Sequence, residues 1–473
     1  MLVLLNYKSF YRLRCRLCGG MSGKMNRDLT NGPVMRSMLG FAAPMILGNL
    51  LQQCYNIADT LIVGKFLGSD ALAAVGSSFT LMTFLTSILL GLCMGSGAVF
   101  SIRYGQRDTQ GLREGVYASF VLVAGLTILL DAAAFICLDK IQFFLQVPNE
   151  VWGMMREYLA VIFCGIMATF LYNYFASFLR SVGDSVVPLI FLAVSAILNI
   201  ALDLWFVLGL SKGVYGAALA TVIAQYVSGV GIMVYALKKS PYLQGILKHF
   251  RVRFSCVKEI ASFSILTCIQ QSVMNLGILM VQGLVNSFGS TVMAAFAAAV
   301  KIDAFAYMPV QDFGNAFSTF IAQNYGAKKE ERIQKGLKGA VISSITFSLA
   351  VSVVVWVFAH PLMGLFVEAG ETKVIAEGVR YLHIEGAFYA GIGCLFLLYG
   401  LYRALGRPGM SVVLTVVSLG TRVILAYLLS VTPLGVTGIW WSIPIGWFLA
   451  DMVGVVYYLL RKKYLFSWQK NNI

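Results

Sequence analysis

The sequence places acids and amides inside segments that are otherwise strongly apolar. Between residues 52 and 60, four polar side chains recur at spacings of one helical turn, so they form a polar stripe on one helix. The stripe consists of Gln52, Asn56, Asp59 and Thr60. A charged side chain at the centre of a bilayer costs about 2.5–3.5 kcal/mol on insertion scales, so a buried acid needs a reason to be there.

A second polar stripe follows in a later apolar segment. Ser195, Asn199 and Asp203 stand four residues apart and therefore stack on one helical face. Two acids and two amides on helices of one bundle make an oxygen-rich cluster, which can take up a proton or bind a hard cation such as sodium. We predict a cation site at Asp59, Asn199 and Asp203, with Gln52, Asn56 and Ser195 as supporting polar residues. The alternative is that the two acids only join helices through hydrogen bonds.

The surrounding composition identifies the elements that position these residues. The 473-residue chain is 59% hydrophobic and only 12% charged, whereas soluble domains are about 25% charged. Apolar runs close to twenty residues long recur along it, which is the pattern of membrane helices and not of a β-barrel. We therefore predict an all-α integral membrane protein with twelve transmembrane helices in two pseudo-twofold six-helix bundles around a V-shaped central cavity.

Basic residues report the orientation of the chain. The net charge is +15, and 28 of the 36 Lys and Arg residues fall on one side of the predicted helices, six on the other and two within them. Basic residues in short loops stay on the cytoplasmic side, so both termini are placed in the cytoplasm. The expected location of the protein is the cell inner membrane. The basic excess therefore reflects topology, and we expect no nucleic-acid partner.

Domain boundaries follow from the helix ends. The predicted helices are 36–63, 70–102, 113–138, 152–176, 185–209, 214–237, 259–286, 291–323, 337–360, 374–402, 410–431 and 436–460. The predicted domains are an N-terminal cytoplasmic segment 1–35, a six-helix lobe 36–237, a linker 238–258, a second six-helix lobe 259–460 and a cytoplasmic tail 461–473. Residues 1–24 differ from the rest, so we expect them to be either a wrongly assigned start, with translation beginning at Met25, or a flexible basic arm.

An internal repeat relates the two halves. Tyr104-Gly105 matches Tyr325-Gly326 at an offset of 221, Arg180 and Gly183 match Arg403 and Gly406 at 223, and Gly213 and Gly216 match Gly435 and Gly438 at 222. Six helices per copy is an even number, so the copies are parallel repeats about an axis along the membrane normal. Under these offsets Asp59 aligns with Met280 and Asn199 with Arg422, so we expect ion coupling to be confined to the first lobe.

The second lobe carries other candidates. We expect Arg422 to form a structural ion pair with Glu385 or Asp312 and not a ligand site. Lys301 and Asp303 are two residues apart and point to different faces, so they should not pair. Apolar and amide side chains on the seventh and eighth helices are candidates for an adaptable substrate wall: Gln271, Met274, Asn275, Met280, Phe305, Met308 and Phe317.

Other functions lack support in the sequence. His249, His360 and His383 are scattered, and no phosphate loop, HExxH motif or nucleophile elbow occurs. We therefore expect no catalytic residues, no enzymatic activity and no cofactor, and no metal other than sodium at the cation site. Most of the nine cysteines lie in apolar helices as packing residues.

Several motifs resemble the multidrug and toxic compound extrusion (MATE) family. The run from Pro44 to Asp59, ending Asn56-Ile-Ala-Asp59, resembles its first helix. The other motifs are Arg180-Ser-Val-Gly183-Asp184, Asn199-Ile-Ala-Leu-Asp203, Gly213-Val-Tyr-Gly216-Ala-Ala and Gln323-Asn324-Tyr325-Gly326-Ala327. The resemblance runs from about Met35 to Arg461.

The resemblance implies export of organic cations and amphipathic drugs by antiport against protons or sodium. We expect the protein to be a monomer surrounded by membrane lipids. The resemblance also implies coupling roles for Asp59, Asn199, Asp203 and Thr221. Another branch of the family carries second-lobe acids on its seventh and tenth helices, whereas this seventh helix has Gln270 and Gln271.

Alternative functions stay open at this point. A lipid-linked precursor flippase shares the two-lobe plan, but it should have a more cationic cavity than Lys301 and Arg422 provide. A channel would need a lined pore, and a membrane enzyme would need a nucleophile or an acid–base pair.

Overall fold

The computed structural model describes residues 28–145, 149–244, 253–367 and 370–466, and within these residues all regular structure is helical. The first half contains α1 (Val34–Leu67), α2 (Ser69–Gly105), α3 (Thr109–Ile136), α4 (Leu138–Leu145), α5 (Asn149–Phe163), α6 (Ile166–Ser181), α7 (Val186–Asp203) and α8 (Gly213–Lys239). The second half contains α9 (Phe254–Asn286), α10 (Ser290–Gly326), α11 (Glu330–Val357), α12 (Ala359–Met363), α13 (Thr372–Gly386), α14 (Tyr389–Ala404), α15 (Pro408–Ser430) and α16 (Val436–Leu465).

In the described part of the chain these helices supply ten candidate membrane spans, or twelve if each of two bent helix pairs forms one span. Ten helices are long and apolar enough to cross a bilayer alone, and two bent pairs supply the others. The pairs are α5 with α6, bent by 45°, and α13 with α14, bent by 52°. The all-helical membrane fold is therefore confirmed, whereas the unbroken helices predicted at 152–176 and 374–402 are each divided in two.

Backbone geometry repeats between the two halves. Left-handed φ angles occur at Gly68 (89°) and Gly289 (95°), at Gly183 (90°) and Gly406 (76°), and at Gly213 (58°) and Gly435 (51°). Arg107 (59°) and Lys328 (56°) form a further matched pair without glycine. Each pair is 221 to 223 residues apart, which is the offset of the sequence repeat. The two copies therefore enter and leave corresponding helices through the same turns.

The two lobes, α1–α8 and α9–α16, contact each other from mid-helix to one end of the bundle. We call this the basic end, since α1 begins there at Val34 and α8 ends there at Lys239. At the basic end α2 crosses α10 so closely that a Cβ atom on Gly105 would lie 2.0 Å from the carbonyl oxygen of Gln323. A Cβ atom on Gly326 would lie 2.0 Å from the carbonyl oxygen of Ile102. Glycine is required at both positions of this crossing.

Further interlobe bonds lie between the crossing and the middle of the helices. Ser96 and Ser264 share a hydrogen bond of 2.9 Å, and Arg103 pairs with Glu259. In mid-helix the amide of Asn49 donates to both carboxylate oxygens of Asp312, at 2.9 and 2.8 Å. Toward the other end, no heavy atom lies within 4 Å of a Cβ built on Gly76. The three interlobe bonds all lie between the basic end and the middle of the helices, which agrees with a V-shaped arrangement of the lobes.

A short segment before α1 ties the first lobe to the second. This strap, residues Asp28–Gly32, places Leu29 at 0% exposure. Arg332 of α11 donates to the carbonyl oxygens of Leu29 (3.0 Å) and Gly32 (2.6 Å), and Lys329 donates to that of Thr30 (2.7 Å). Because the strap is continuous with α1, these bonds add to the closure of the basic end.

Several predicted boundaries shift or fall elsewhere. The predicted linker 238–258 is shorter, because α8 ends at Lys239 and α9 begins at Phe254; its residues 245–252 lie outside the described part. The predicted tail starts inside α16, which continues to Leu465. The suggestion about residues 1–24 also lies outside the described residues.

Candidate cation-coupling site

Asp59 of α1 and Asp203 of α7 face each other inside the first lobe. Their carboxyl groups lie within hydrogen-bonding range of each other, and Asp203 is completely buried. No donor elsewhere in the described part of the protein forms a hydrogen bond to Oδ1 of Asp59 or to either carboxylate oxygen of Asp203. Two carboxylates in contact repel each other unless a proton or a metal cation lies between them. The pair therefore has the geometry of a cation site.

Asn199 of α7 and Thr221 of α8 form a hydrogen-bonded pair beside Asp203. Asn199 lies one helical turn before Asp203 on α7 and is 2% exposed. Its Nδ2 donates to Oγ1 of Thr221 on α8 at 3.2 Å, and that hydroxyl donates to the carbonyl oxygen of Ala217 at 3.1 Å. Oδ1 of Asn199 accepts no hydrogen bond. The site thus has four oxygen atoms, on three residues, that no protein donor occupies.

Two tyrosines and a π-helical turn, which the sequence pattern did not predict, surround this site. Tyr55 and Tyr158 lie within electrostatic range of both Asp59 and Asp203. A π-helical turn, Leu204–Gly209, starts immediately after Asp203. Such turns occur often at functional sites, because they change the direction of a side chain within a helix. Tyr55 stands one turn before Asp59, which is a signal that the sequence offered.

The three supporting polar residues do not join the carboxyl pair. Gln52 is exposed. Asn56 donates to Oε1 of Gln53 at 3.2 Å, and Ser195 donates to the carbonyl oxygen of Ala224 at 3.0 Å. Thr60 of the same stripe is exposed and bonds to the carbonyl oxygen of Asn56 at 2.8 Å. Their bonds join turns of α1 and hold α7 against α8.

The proposed substrate wall is only partly assembled. Met308 of α10 accepts a hydrogen bond from Gln53 of α1 at 3.1 Å, so it lies where the lobes meet. Met280 and Phe305 are 45% and 38% exposed. Gln271 and Asn275 are half-buried on α9, and the Asn275 amide donates to the carbonyl oxygen of Gln271 at 3.1 Å. Phe317 is fully buried, so it belongs to the core and cannot line a cavity in this conformation.

The second lobe differs from our expectation at Glu385. Glu385 and Arg422 interact only at longer range, and they make no direct ion pair among the described residues. The carboxyl group that contacts Glu385 belongs to Asp303 instead, and the hydroxyl of Tyr389 donates to Asp303. Lys301 and Asp303 do diverge as predicted, because Lys301 lies over the ring of Phe366 at 5.8 Å. The second lobe therefore contains an acid pair that the repeat comparison missed.

Known metal-site chemistry is otherwise lacking in the described residues. No group of three or more His, Cys, Asp and Glu side chains comes together there. Only the carboxyl pairs offer buried anionic oxygens in contact.

Comparison with known proteins places the chain in a family. The family model MatE matches it twice, over residues 44–205 and 264–428, with one match in each six-helix lobe. The probable multidrug resistance protein YpnP of Bacillus subtilis is 30% identical over 399 residues, covering 83% of this chain and 87% of the relative. YoeA of the same organism, also described as a probable multidrug resistance protein, is 29% identical over 93% of this chain and 95% of the relative.

Solved structures agree on the fold. The protein in a structure described as the outward-facing conformation of a multidrug resistance MATE family transporter of the MOP superfamily matches with a TM-score of 0.87. It is 24% identical and covers 94% of this chain and 98% of its own. The two matches to the family model and the sequence identity to YpnP establish the family of the chain in addition to its fold. This chain belongs to the MATE family of multidrug efflux transporters.

Proposed function

We propose that this protein is a secondary antiporter that exports amphipathic organic cations in exchange for protons or sodium ions. The observation that carries the proposal is the Asp59–Asp203 pair, with its unoccupied oxygen atoms buried between α1 and α7. The names of the relatives point to drugs as the substrates, since they are described as multidrug resistance proteins.

The position of α1 offers a route from ion binding to conformational change. The same helix carries Asp59 of the carboxyl pair and Asn49, which bonds to Asp312 across the lobes. Ten residues separate them, or about 15 Å along the helix. Pro44 interrupts the hydrogen-bond ladder between Asn49 and the basic end, and proline is a common cause of helix bending.

The proposed cycle follows from these contacts. Without a cation the two carboxylates repel each other, and a bound proton or sodium ion allows α1 and α7 to pack closely. A shift of α1 against α7 changes the register of Asn49 with Asp312 and so biases the interlobe closure. A membrane potential adds about 2.3 kcal/mol per charge per 100 mV, which is sufficient to drive such a switch.

We also propose the orientation of the protein. Basic residues at the ends of helices favour the cytoplasmic side, so the basic end faces the cytoplasm and both termini are cytoplasmic. The closed basic end then makes the described conformation outward-facing. The chain works as a monomer in the cell inner membrane, because each lobe contributes one wall of the cavity.

The test is transport by purified protein in liposomes loaded with a fluorescent lipophilic cation. A pH gradient and a sodium gradient are imposed separately, with the membrane potential clamped. We expect one of the gradients to drive uphill movement of the dye, and that gradient names the ion. Downhill movement that ignores both gradients, from protein shown to be folded, would contradict antiport and favour the flippase alternative, which a lipid-scrambling assay then tests.

A further inference from the structure

Lys301 of α10 takes no part in the candidate cation site or in the closure of the lobes. Its side chain is exposed, and its ammonium group lies over the ring of Phe366 at 5.8 Å. None of the ion pairs in the described part of the chain includes it. It stands about 16 Å along α10 from Ser290, the first residue of the helix. An unpaired charge within a membrane span is costly, so this lysine needs a functional reason.

The helical register shows which way Lys301 faces. Lys301, Met308 and Asp312 stand seven and then four residues apart, which places them on one face of α10 within about 20°. Met308 accepts a hydrogen bond from Gln53 of α1, and Asp312 accepts two from Asn49 of α1. Lys301 therefore lies on the face that α10 presents to the first lobe.

The same face of α10 is uncovered beyond Met308. Phe305, about one turn farther from the basic end, is 38% exposed, and Lys301, Ala297 and Ala294 are exposed as well. A helix face that contacts α1 at one level and is exposed at the next levels borders a cleft. We call this space between α1 and α10, on the side of Met308 away from the basic end, the outer cleft.

The face of α1 across the outer cleft is polar and uncharged. Residue numbers rise along α1 from Asn49 to Gln53 while those of their partners on α10 fall, so the two helices are antiparallel. In this register Thr60 stands at the level of Lys301. The polar residues of this face, which stand three or four residues apart, are Asn49, Gln53, Asn56 and Thr60.

Asn56 offers a hydrogen-bond donor to this cleft. Its amide nitrogen carries two N–H groups, and one of them donates to Oε1 of Gln53 at 3.2 Å. The second N–H is free for a ligand. Gln52, at the edge of the same face, is exposed and has a further amide group. The α1 wall therefore adds neutral donors to the positive charge of Lys301.

The helices that border the space between the lobes offer no acid to a bound cation. In the described structure α2 has no charged residue from 71 to 102, and α9 has none from 260 to 286. The acids of α1 and α10 in this region are engaged elsewhere. Asp59 faces Asp203 inside the first lobe, Asp303 is 1% exposed beside Glu385, and Asp312 is bound by Asn49.

This arrangement is suited to an anion. A lysine ammonium forms charge-assisted hydrogen bonds with carboxylate and phosphate oxygens, and amide N–H groups add neutral ones. A cationic group in the same place would be repelled by Lys301 and would find no counter-charge. The apolar part of an amphipathic ligand has a surface to pack on, since Phe305 and Met308 lie on the same face as Lys301.

We propose that the outer cleft binds the anionic group of the transported molecule, a carboxylate or a phosphate, through Lys301 and the amide of Asn56. The proposal rests on drug export as the function of the protein and narrows the class of substrate. An exported organic cation is then a zwitterion, which carries an anionic group in addition to its positive charge.

The test compares two dyes that differ only in this group. A zwitterionic rhodamine with a free carboxylate and its cationic methyl ester are titrated with purified protein in a neutral detergent, and binding is followed by fluorescence anisotropy. We expect the wild type to bind the carboxylate dye about tenfold more tightly than the ester. Lys301→Gln should abolish this preference, and Lys301→Arg should keep it. No preference in the wild type, or a preference that Lys301→Gln leaves intact, would overturn the proposal.

The matched control is Lys212→Gln. Lys212 is also exposed and lies over an aromatic ring, that of Tyr215 at 5.9 Å, but it precedes α8 and is not part of the outer cleft. We expect Lys212→Gln to keep the preference for the carboxylate dye. If Lys301 only extended its ammonium group to the membrane surface, the two variants would behave alike, which would contradict the proposal. Folding of each variant is checked by its elution profile and thermal midpoint.

Competition identifies the source of the anionic group. A short-chain phosphatidic acid is added to the complex of protein and carboxylate dye, with the corresponding neutral diacylglycerol as control. Displacement by the phosphatidic acid alone assigns the outer cleft to lipid phosphate, and retention of the dye assigns it to the carboxylate of a small amphiphile. Either result supports an anion site, whereas equal displacement by the neutral lipid would contradict one.

The binding test is independent of ion coupling, because it needs no gradient. If the wild type moves neither dye uphill under a pH or a sodium gradient, antiport fails as the function, and the dye preference still decides whether the anion site exists. If antiport holds and the preference is absent, only the anion site fails.

Discussion

The helix crossing at Gly105 and Gly326 gives the sharpest prediction about conformation. A Cβ atom on Gly326 would lie 2.0 Å from the carbonyl oxygen of Ile102. Its next nearest neighbours are also backbone atoms, so no side chain can rotate away to relieve the clash. Overpacking of this kind costs about 1–3 kcal/mol, and a backbone obstacle places the cost near the upper value. Since about 1.4 kcal/mol corresponds to a factor of ten, Gly326→Ala should shift the equilibrium away from the closed basic end by about 100-fold.

The clash exists only between lobes, so it should change conformation more than folding. When the basic ends separate, the added methyl group meets no neighbour across the cleft, and alanine is about 1 kcal/mol better than glycine within a helix. We therefore expect Gly326→Ala to fold and to occupy a state with an open basic end.

The assay is a distance measurement between the lobes. Spin labels at Gln110 on α3 and Lys335 on α11, both exposed positions, are introduced into a cysteine-free background. Gly326→Ala should move the distance distribution to longer values. The matched control is Gly76→Ala on α2, where no heavy atom lies within 4 Å of the new Cβ. An unchanged distribution in folded Gly326→Ala would refute the reasoning, as would an equal shift in the control.

Three further predictions concern the closure and the strap. Arg332→Ala removes a part-buried side-chain bond to the carbonyl oxygen of Leu29 and an exposed one to that of Gly32. Only the part-buried bond is expected to approach the roughly 1.5–3 kcal/mol of a hydrogen bond to a charged group, and its loss should lengthen the labelled distance. Lys335→Ala loses an exposed pair with Glu331 and should leave the distance unchanged in a protein labelled elsewhere on α11. Asn49→Ala leaves both oxygens of Asp312 without their donor, at a cost of about 1–3 kcal/mol; the thermal midpoint should fall, and an unaltered midpoint would contradict a structural role for this bond. Burial opposes ionisation of Asp28, but hydrogen bonds from Thr30 and Asn31 prevail and hold its pKa below the usual 3.8. The contribution of Asp28 to strap stability is therefore complete above that pH and is lost as the pH falls below it. Hydrogen exchange at residues 28–32 should accelerate only in acid, and acceleration between pH 5 and 8 would contradict this.

Much of the fold could be predicted because apolar length and glycine placement are local signals. Helix number and the repeat follow from them, and the repeated left-handed angles at Gly68 and Gly289 explain why those glycines recur. The two bends were missed because the residues around them, Cys164-Gly165 and Ala387-Phe388, are as apolar as the helices they interrupt. Hydropathy does not fall at such a break, so only tertiary packing reveals it.

The candidate site was predictable in part for a similar reason. Asn199 and Asp203 share a helical face, and Asp59 is the acid of α1, so spacing brought the set together. The second pair escaped because Asp303 and Glu385 are 82 residues apart and stand at positions with no acid in the other repeat. Comparison of the repeats showed where the first-lobe acids had been lost, but it could not show where others had been gained.

The central claim is that the Asp59–Asp203 pair couples an ion to drug movement. The most direct test measures the equilibrium drug ratio across liposomes that contain Asp203→Asn protein, under the gradient that drives the wild type, with Asp131→Asn as the control for a lone acid in the same lobe. The account predicts retained drug binding with a ratio that falls to one in Asp203→Asn and stays at the wild-type value in Asp131→Asn. A wild-type ratio in Asp203→Asn would contradict it.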